Sequence, residues 1–434
     1  MKRKSAEMLL AFSDREGTVY DFPGLEPAFR TGKRTVPVER EELIPLPEGS
    51  YLFSLIGRVP VSYNRENNVF SEIQRDPDGD EIWALSSFLA SGYLRTYLPA
   101  FARGKNAPVL PLWAYAGVVI IDGKFFVPAL RIDEDQRSDP AIHRNHRELK
   151  RSIAKVTRSL PENRLVRQLA KCSTEYNCLC ARNFFLGRYE APVPTTPACN
   201  ADCLGCLSLQ EGDDFQSSQQ RLDFKPTPDE IAEVIIRHFS AVDQGVASFG
   251  QGCEGEPLLR AKDLARAVSL VREKTGSGTI NINTNGSRPE MIGLLASSGI
   301  DSVRISLNSP TEKYYTRYHR PGGYSFSDVL QSIGNALEAG LHVSINLFFM
   351  PGFTDMETEV QALDSFLNKF PVHMIQTRNL NIDPDFYFDH IGFEESDPVG
   401  IRNLISILKR DHPNVALGYY NPSKEVYRTR NTLD

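Results

Sequence analysis

Three cysteines, Cys199, Cys203 and Cys206, stand within eight residues in the run Thr195-Thr196-Pro197-Ala198-Cys199-Asn200-Ala201-Asp202-Cys203-Leu204-Gly205-Cys206. Thiolates are the soft ligands that hold iron–sulfur clusters, and a short loop bearing three of them can ligate three irons of a [4Fe–4S] cubane. The fourth iron is then left without a protein thiolate. An iron with an open position can bind a substrate or cofactor, whereas a structural site closes its coordination sphere with protein ligands. The competing chemistry is a structural zinc knuckle, which calls for two Cys-x2-Cys pairs or Cys/His mixtures and a fourth ligand nearby.

The other four of the seven cysteines are Cys172, Cys178 and Cys180, at C-x5-C-x-C spacing, and Cys253. Together they are candidate ligands of a second, auxiliary iron–sulfur cluster; alternatively they pack as small hydrophobes. Clustered cysteines read as metal chemistry in a reducing compartment rather than as a disulfide framework, which points to the cytoplasm. The apolar run Met8 to Phe12 is cut short by Ser13-Asp14-Arg15, too soon for a signal peptide. No stretch approaches the roughly 18 apolar residues of a membrane span. The net charge of −6 gives no global basic footprint, so nucleic-acid binding is not favoured and needs a local patch. The candidate patch is 144–171, where Arg147, Lys150, Arg151, Lys155, Arg158, Arg164 and Arg167 accompany a helical repeat of Leu149, Ile153, Val156 and Leu160.

A chain of 434 residues exceeds the usual size of one core. Residues 1–190 form an N-terminal α+β accessory or substrate region. Its best signal is Val118-Val119-Ile120-Ile121, Asp122-Gly123, Lys124-Phe125-Phe126-Val127, a β-hairpin whose turn residues tolerate positive φ. Tyr93, Tyr97 and Phe101, with Leu89, Leu94 and Leu98, have the spacing of a helix over 88–101, a stripe that packs as core or lines a substrate pocket. Residues 191–385 alternate helices with short apolar strands, the mark of a parallel sheet with crossover helices. A strand before Cys199 is followed by strands at Val246–Phe249, Thr279–Thr284, Ser302–Leu307, His342–Phe349 and His373–Thr377, six βα units that can curl into a partial barrel. Thr227-Pro228-Asp229-Glu230 and Ser325-Phe326-Ser327-Asp328 are helix-start signals between them. Residues 386–434 add a closing helix through Ile401, Leu404, Ile405 and Leu408 and a strand-like piece with a polar tail, packing on the barrel. Active sites of parallel barrels sit on the loops after the strands, where the cysteine loop also falls.

In that position the chain resembles the radical S-adenosylmethionine (SAM) superfamily. The resemblance rests on the cysteine loop, Gly255-Glu256-Pro257 after strand two, Thr284-Asn285-Gly286 after strand three, Arg304-Ile305-Ser306-Leu307 on strand four and Asn346 on strand five, and covers roughly Val193 to Arg378. It implies an α/β fold, a partial (βα)6 radical SAM barrel with an N-terminal α+β extension. It implies cluster ligation by Cys199, Cys203 and Cys206, and SAM contacts from Gly255, Glu256, Pro257, Asn285, Ser306 and Asn346. Glu256 would accept the methionine ammonium and Ser306 would bind the ribose or carboxylate. The implied reaction is reductive cleavage of SAM, with a 5′-deoxyadenosyl radical abstracting hydrogen from an unidentified small molecule or peptide. A flavodoxin- or ferredoxin-type protein is the implied electron donor. Cys253 is a catalytic candidate as hydrogen donor, as ligand of the second cluster, or as a packed thiol. One departure stands out: the family's usual aromatic residue before the third cysteine is Gly205 here, so the adenine contact must come from elsewhere. Two other functions share these features, an RNA- or protein-modifying radical SAM enzyme docking through the basic 144–171 helix, and a non-catalytic iron–sulfur scaffold or sensor.

Overall fold

Alternating residue types become alternating faces in the computed structural model, which describes residues 7–430 apart from 144, 211, 213–215 and 395. Seven parallel strands pair in chain order: β1 (Glu190–Pro192), β2 (Val246–Phe249), β3 (Thr279–Thr284), β4 (Ser302–Leu307), β5 (His342–Phe349), β6 (Met374–Asn379) and β7 (Ala416–Gly418). Successive side chains on a strand point to opposite faces. On the outer face Ala247, Phe249, Ile280, Ile282, Val303, Ile305, Val343, Ile345 and Leu347 join one apolar core with the crossover helices. Each of the Val, Ile, Leu and Phe side chains, fully buried, contributes roughly 1.5–3 kcal/mol. The intervening positions are Ser248, Asn281, Asn283, Ser302, Arg304, Ser306, Ser344, Asn346 and Gln376, and they give the barrel a polar lumen.

The six expected strands form, and the C-terminal piece adds the seventh by pairing Ala416 with Met374. The gap between β1 and β7 is spanned by side chains. Asn421, just after β7, donates to Glu190 Oε1 at 2.7 Å and accepts from Gln376 at 2.6 Å. The helices over Pro228–Ala241 and Phe326–Glu338 start on complete capping boxes, Thr227 with Glu230 and Ser325 with Asp328.

The N-terminal region is antiparallel. The expected hairpin pairs Val119–Ile121 with Lys124–Arg131 around Asp122 (φ 50°) and Gly123 (φ 70°). Residues 88–101 are not a helix: they hold the end of strand Trp83–Phe88 and short strands at Tyr93–Arg95 and Leu98–Pro99. Cross-strand pairing, such as Leu94 with Leu130, overrides the helical spacing there. The basic segment is likewise two helices, His146–Ser159 and Arg164–Thr174, broken around Pro161, and its residue 144 lies outside the described residues. Among the described residues no helix is long and apolar enough to cross a membrane.

Buried polar contacts fasten this region over the barrel mouth. Arg58 pairs with Asp383 at 2.7 Å with both side chains fully buried, and Arg30 pairs with Asp385 at 2.8 Å. Arg95 donates to the carbonyls of Tyr115 at 3.2 Å and Leu380 at 2.9 Å, and burial pushes its guanidinium down to about 9. Asn379, ending β6, mimics a strand by donating to Tyr93 O at 2.9 Å and accepting from Arg95 N at 3.0 Å.

Candidate active site at the barrel mouth

The cysteine loop follows β1 and is wedged between the loop after β2 and the segment after β4. On one side Gly255 N donates to Thr196 O at 2.7 Å and Glu256 N to Ala198 O at 2.8 Å. A Cβ on Gly255 would stand 1.9 Å from Ala198 O, so only glycine allows this approach. On the other side Leu204 N donates to Tyr318 O at 2.9 Å and Gly322 N to Asn200 O at 2.8 Å.

Two buried glutamates of the Glu254-Gly255-Glu256 run brace the loop. Glu254 accepts from Thr195 N at 2.5 Å, Thr195 Oγ1 at 2.7 Å, Thr196 N at 3.1 Å and Gly250 N at 2.6 Å. Glu256 accepts from Leu258 N at 2.9 Å, Thr284 Oγ1 at 2.5 Å and Asn285 N at 2.8 Å. Burial pushes both carboxyls up to about 7, against the pull of those donors. Asn285 in turn donates to Asn200 Oδ1 at 2.9 Å. Of the expected SAM contacts, Glu256 and Asn285 thus come together around the cysteine loop, with the Glu256 carboxylate already engaged by the β3 end.

Cys199, Cys203 and Cys206 are half-buried, and burial pushes Cys203 well above the ordinary thiol range and Cys199 up to about 11. Arg221 donates to Cys206 Sγ at 3.4 Å and to Ser208 Oγ at 3.1 Å, setting a cation against a sulfur that must become anionic to bind metal. His319 Nδ1 lies 3.3 Å from Cys203 Sγ. Among the described residues no three His, Cys, Asp or Glu side chains gather to hold a single metal ion, the arrangement the zinc reading requires. The thiols of a cubane each meet a different iron and need no common point. The donor set, the glycine that admits the loop and the adjacent cation suit such a cluster.

Gly205 has a local explanation. The Tyr318 hydroxyl stands 2.9 Å from where its Cβ would be, so a buried aromatic from the helix Glu312–His319 occupies the space beside residue 205. That helix was not anticipated, although Pro310-Thr311-Glu312 is a start signal.

Below the loop, a lumen cavity of about 340 Å3 is lined by Gly205, Tyr318, Ser306, Asn346, Arg304 and Arg378, and roofed by Phe88 and Leu89 of the N-terminal region. Expected residues Ser306 and Asn346 therefore share one chamber. A larger cleft of about 1120 Å3 opens at the other end of the barrel, past the strand starts Val246, His342 and Met374, away from the cysteine loop and its chemistry.

The remaining cysteines lie elsewhere. Gly250, Gln251 and Gly252 line the cavity, but Cys253 is buried beside Cys172, on the helix Arg164–Thr174, and near Cys178. The Cys172 contact and burial push Cys253 well above its ordinary value. Cys178 packs on the barrel core, and the Cys180 thiol donates to Glu190 O at 3.6 Å.

Comparison with known proteins adds the following. Residues 193–362 match the sequence model of the Radical SAM superfamily. A probable GTP 3′,8-cyclase of Aeropyrum pernix is 28% identical over 166 residues, 38% of this chain and 44% of that protein. GTP 3′,8-cyclase of Edwardsiella ictaluri is 26% identical over 196 residues, 45% of this chain and 54% of that one. The chain spans about half the length of the curated relatives it matches. Among solved structures, the FeFe-hydrogenase maturase HydG from Carboxydothermus hydrogenoformans aligns over 62% of this chain and 68% of its own, with TM-score 0.38 and 15% identity. A radical SAM methyltransferase from Sphaerobacter thermophilus aligns over 54% and 67%, with TM-score 0.39 and 15% identity.

Proposed function

We propose that this chain, whose residues 193–362 match the Radical SAM superfamily model, reductively cleaves SAM at a [4Fe–4S] cluster and abstracts hydrogen from a small molecule in the barrel lumen. The observation that supports the reading is that Gly205 of the three-cysteine loop lines the same lumen cavity as Ser306, Asn346, Arg304 and Arg378. Cys199, Cys203 and Cys206 would hold the cluster. When bound, cluster and SAM supply one-electron cleavage of a sulfonium and hydrogen-atom abstraction. The protein's own residues position and exclude. Glu254 and Glu256 fix the loop, Ser306 and Asn346 offer polar contacts, and the N-terminal roof keeps water from the reacting atoms.

A small-molecule substrate is favoured because the cavity holds only about 340 Å3 and because relatives are named for a reaction of GTP. A flavodoxin- or ferredoxin-type protein in the cytoplasm would deliver the electron. The test is anaerobic incubation of reconstituted protein with SAM and dithionite. The reading expects 5′-deoxyadenosine from wild type and none from Cys203→Ala. No 5′-deoxyadenosine from cluster-loaded wild type would favour the scaffold or sensor instead.

A further inference from the structure

We propose that the lumen is built to take a substrate bearing a carboxylate or phosphoryl group, held by Arg304 and Arg378; this rests on the reading above for taking the cavity as the substrate chamber. Arg304, on β4, is 9% exposed and donates through Nη1 to Gln376 Oε1 at 2.6 Å, while its buried Nε has no partner. Arg378, on β6, donates to the same Oε1 at 3.3 Å and lies over the Tyr419 ring at 3.7 Å. Two guanidiniums therefore share one neutral acceptor, and both line the cavity.

The carboxylate whose charge reaches Arg304 is Glu190, and its Oε1 already accepts from Ser248 at 2.5 Å, Gln251 at 3.0 Å and Asn421 at 2.7 Å. One engaged carboxylate and the Tyr419 hydroxyl, which against its burial Arg378 pulls below its ordinary value, stand against two cations. Burial, and then Arg378, push Arg304 down to about 10. Like charges in a poorly solvated chamber repel, and an unpaired buried donor is costly, so the arrangement is completed by a bound oxyanion. Guanidinium forks suit carboxylate and phosphoryl oxygens alike.

The experiment is calorimetric titration of anaerobically reconstituted protein, with excess SAM present, by inorganic phosphate and separately by acetate. Wild type is compared with Arg304→Gln, Arg378→Gln and Arg304→Lys, after checking that thermal midpoints agree. The proposal expects saturable binding of at least one anion, weakened about tenfold or more by each glutamine substitution, partly kept by Arg304→Lys, with SAM affinity unchanged. Binding of phosphate alone assigns a phosphoryl group, and binding of acetate alone a carboxylate. Absence of saturable binding to wild type, or binding untouched by both glutamine substitutions, overturns the proposal. So does a parallel loss of SAM affinity, which would give the arginines to the cofactor. Protein that binds an anion as expected yet yields no 5′-deoxyadenosine with SAM and dithionite would instead remove the radical SAM reading and leave the anion site standing.

Discussion

Gly255→Ala isolates the contact on which the cysteine loop depends. The added Cβ would stand 1.9 Å from Ala198 O and 2.4 Å from Ala198 C, whereas ordinary contact begins near 3.4 Å. Both obstacles are backbone, so neither can rotate away, and the segment carrying Cys199 must shift by more than 1 Å. That shift breaks the bonds Gly255 N to Thr196 O and Glu256 N to Ala198 O, each worth about 0.5–1.5 kcal/mol. Overpacking adds about 1–3 kcal/mol, for a total of about 2–6 kcal/mol. A denaturation midpoint read by far-UV circular dichroism gives the stability arm, and iron per chain after anaerobic reconstitution gives the site arm. Gly293→Ala is the control: Gly293 lies in the helix Pro289–Ser298 with nothing within 4 Å of its Cβ position, so alanine there should be neutral or stabilising by up to about 1 kcal/mol. Gly255→Ala should lower the midpoint and lose most of its iron. Wild-type midpoint and full iron in Gly255→Ala would refute the reasoning.

Removing Asp383 strands the buried Arg58 guanidinium and the Leu110 N–H that it accepts at 2.9 Å. Asp383→Ala should cost about 3–5 kcal/mol and expose the N-terminal region to limited proteolysis before the barrel; proteolysis matching wild type would count against the roof's attachment. His238, buried and bonded through Nε2 to Tyr189 O at 3.1 Å, is pushed down to about 4 from 6.5 by burial. The unfolded chain then binds more protons between those values, so this histidine's contribution is present above about 6.5 and is lost as pH falls toward 4, on the order of 3 kcal/mol at most. His238→Gln should flatten that part of the stability profile; an unchanged slope is the contrary result. An auxiliary cluster on Cys172, Cys178 and Cys180 would raise iron above about four per chain in wild type and leave about four in the Cys172/Cys178/Cys180→Ala variant; about four irons in both would remove it.

The strands Thr279–Thr284, Ser302–Leu307 and His342–Phe349 were legible because Ile-Asn-Ile-Asn, Val-Arg-Ile-Ser and Val-Ser-Ile-Asn alternate at the strand period between two different environments. Capping chemistry at Thr227 and Ser325 was legible for the same local reason. The helix expected over 88–101 failed where long-range pairing outweighed spacing, and the long basic helix failed because Pro161 outweighs the apolar repeat around it. Within the site, cysteine spacing and strand-end motifs were local signals. Arg221, Tyr318, Gln376, Arg378 and Asn421 were not found because their roles exist only once the fold brings separate segments together: Arg221 reaches Cys206, Tyr318 reaches Gly205, Gln376 joins Arg304 and Arg378, and Asn421 reaches Gln376 and Glu190. Glu254 sat inside a quoted motif, yet its four donors come from Thr195, Thr196 and Gly250, a geometry no motif spells out.

The central claim is that Cys199, Cys203 and Cys206 would hold a [4Fe–4S] cluster that supplies a binding position for SAM. Electron paramagnetic resonance of the anaerobically reconstituted, dithionite-reduced protein tests it directly. The account predicts a reduced-cluster signal that changes shape when SAM is added and vanishes in Cys199/Cys203/Cys206→Ala. A signal that persists in the triple variant, or one indifferent to SAM in the wild type, would contradict it.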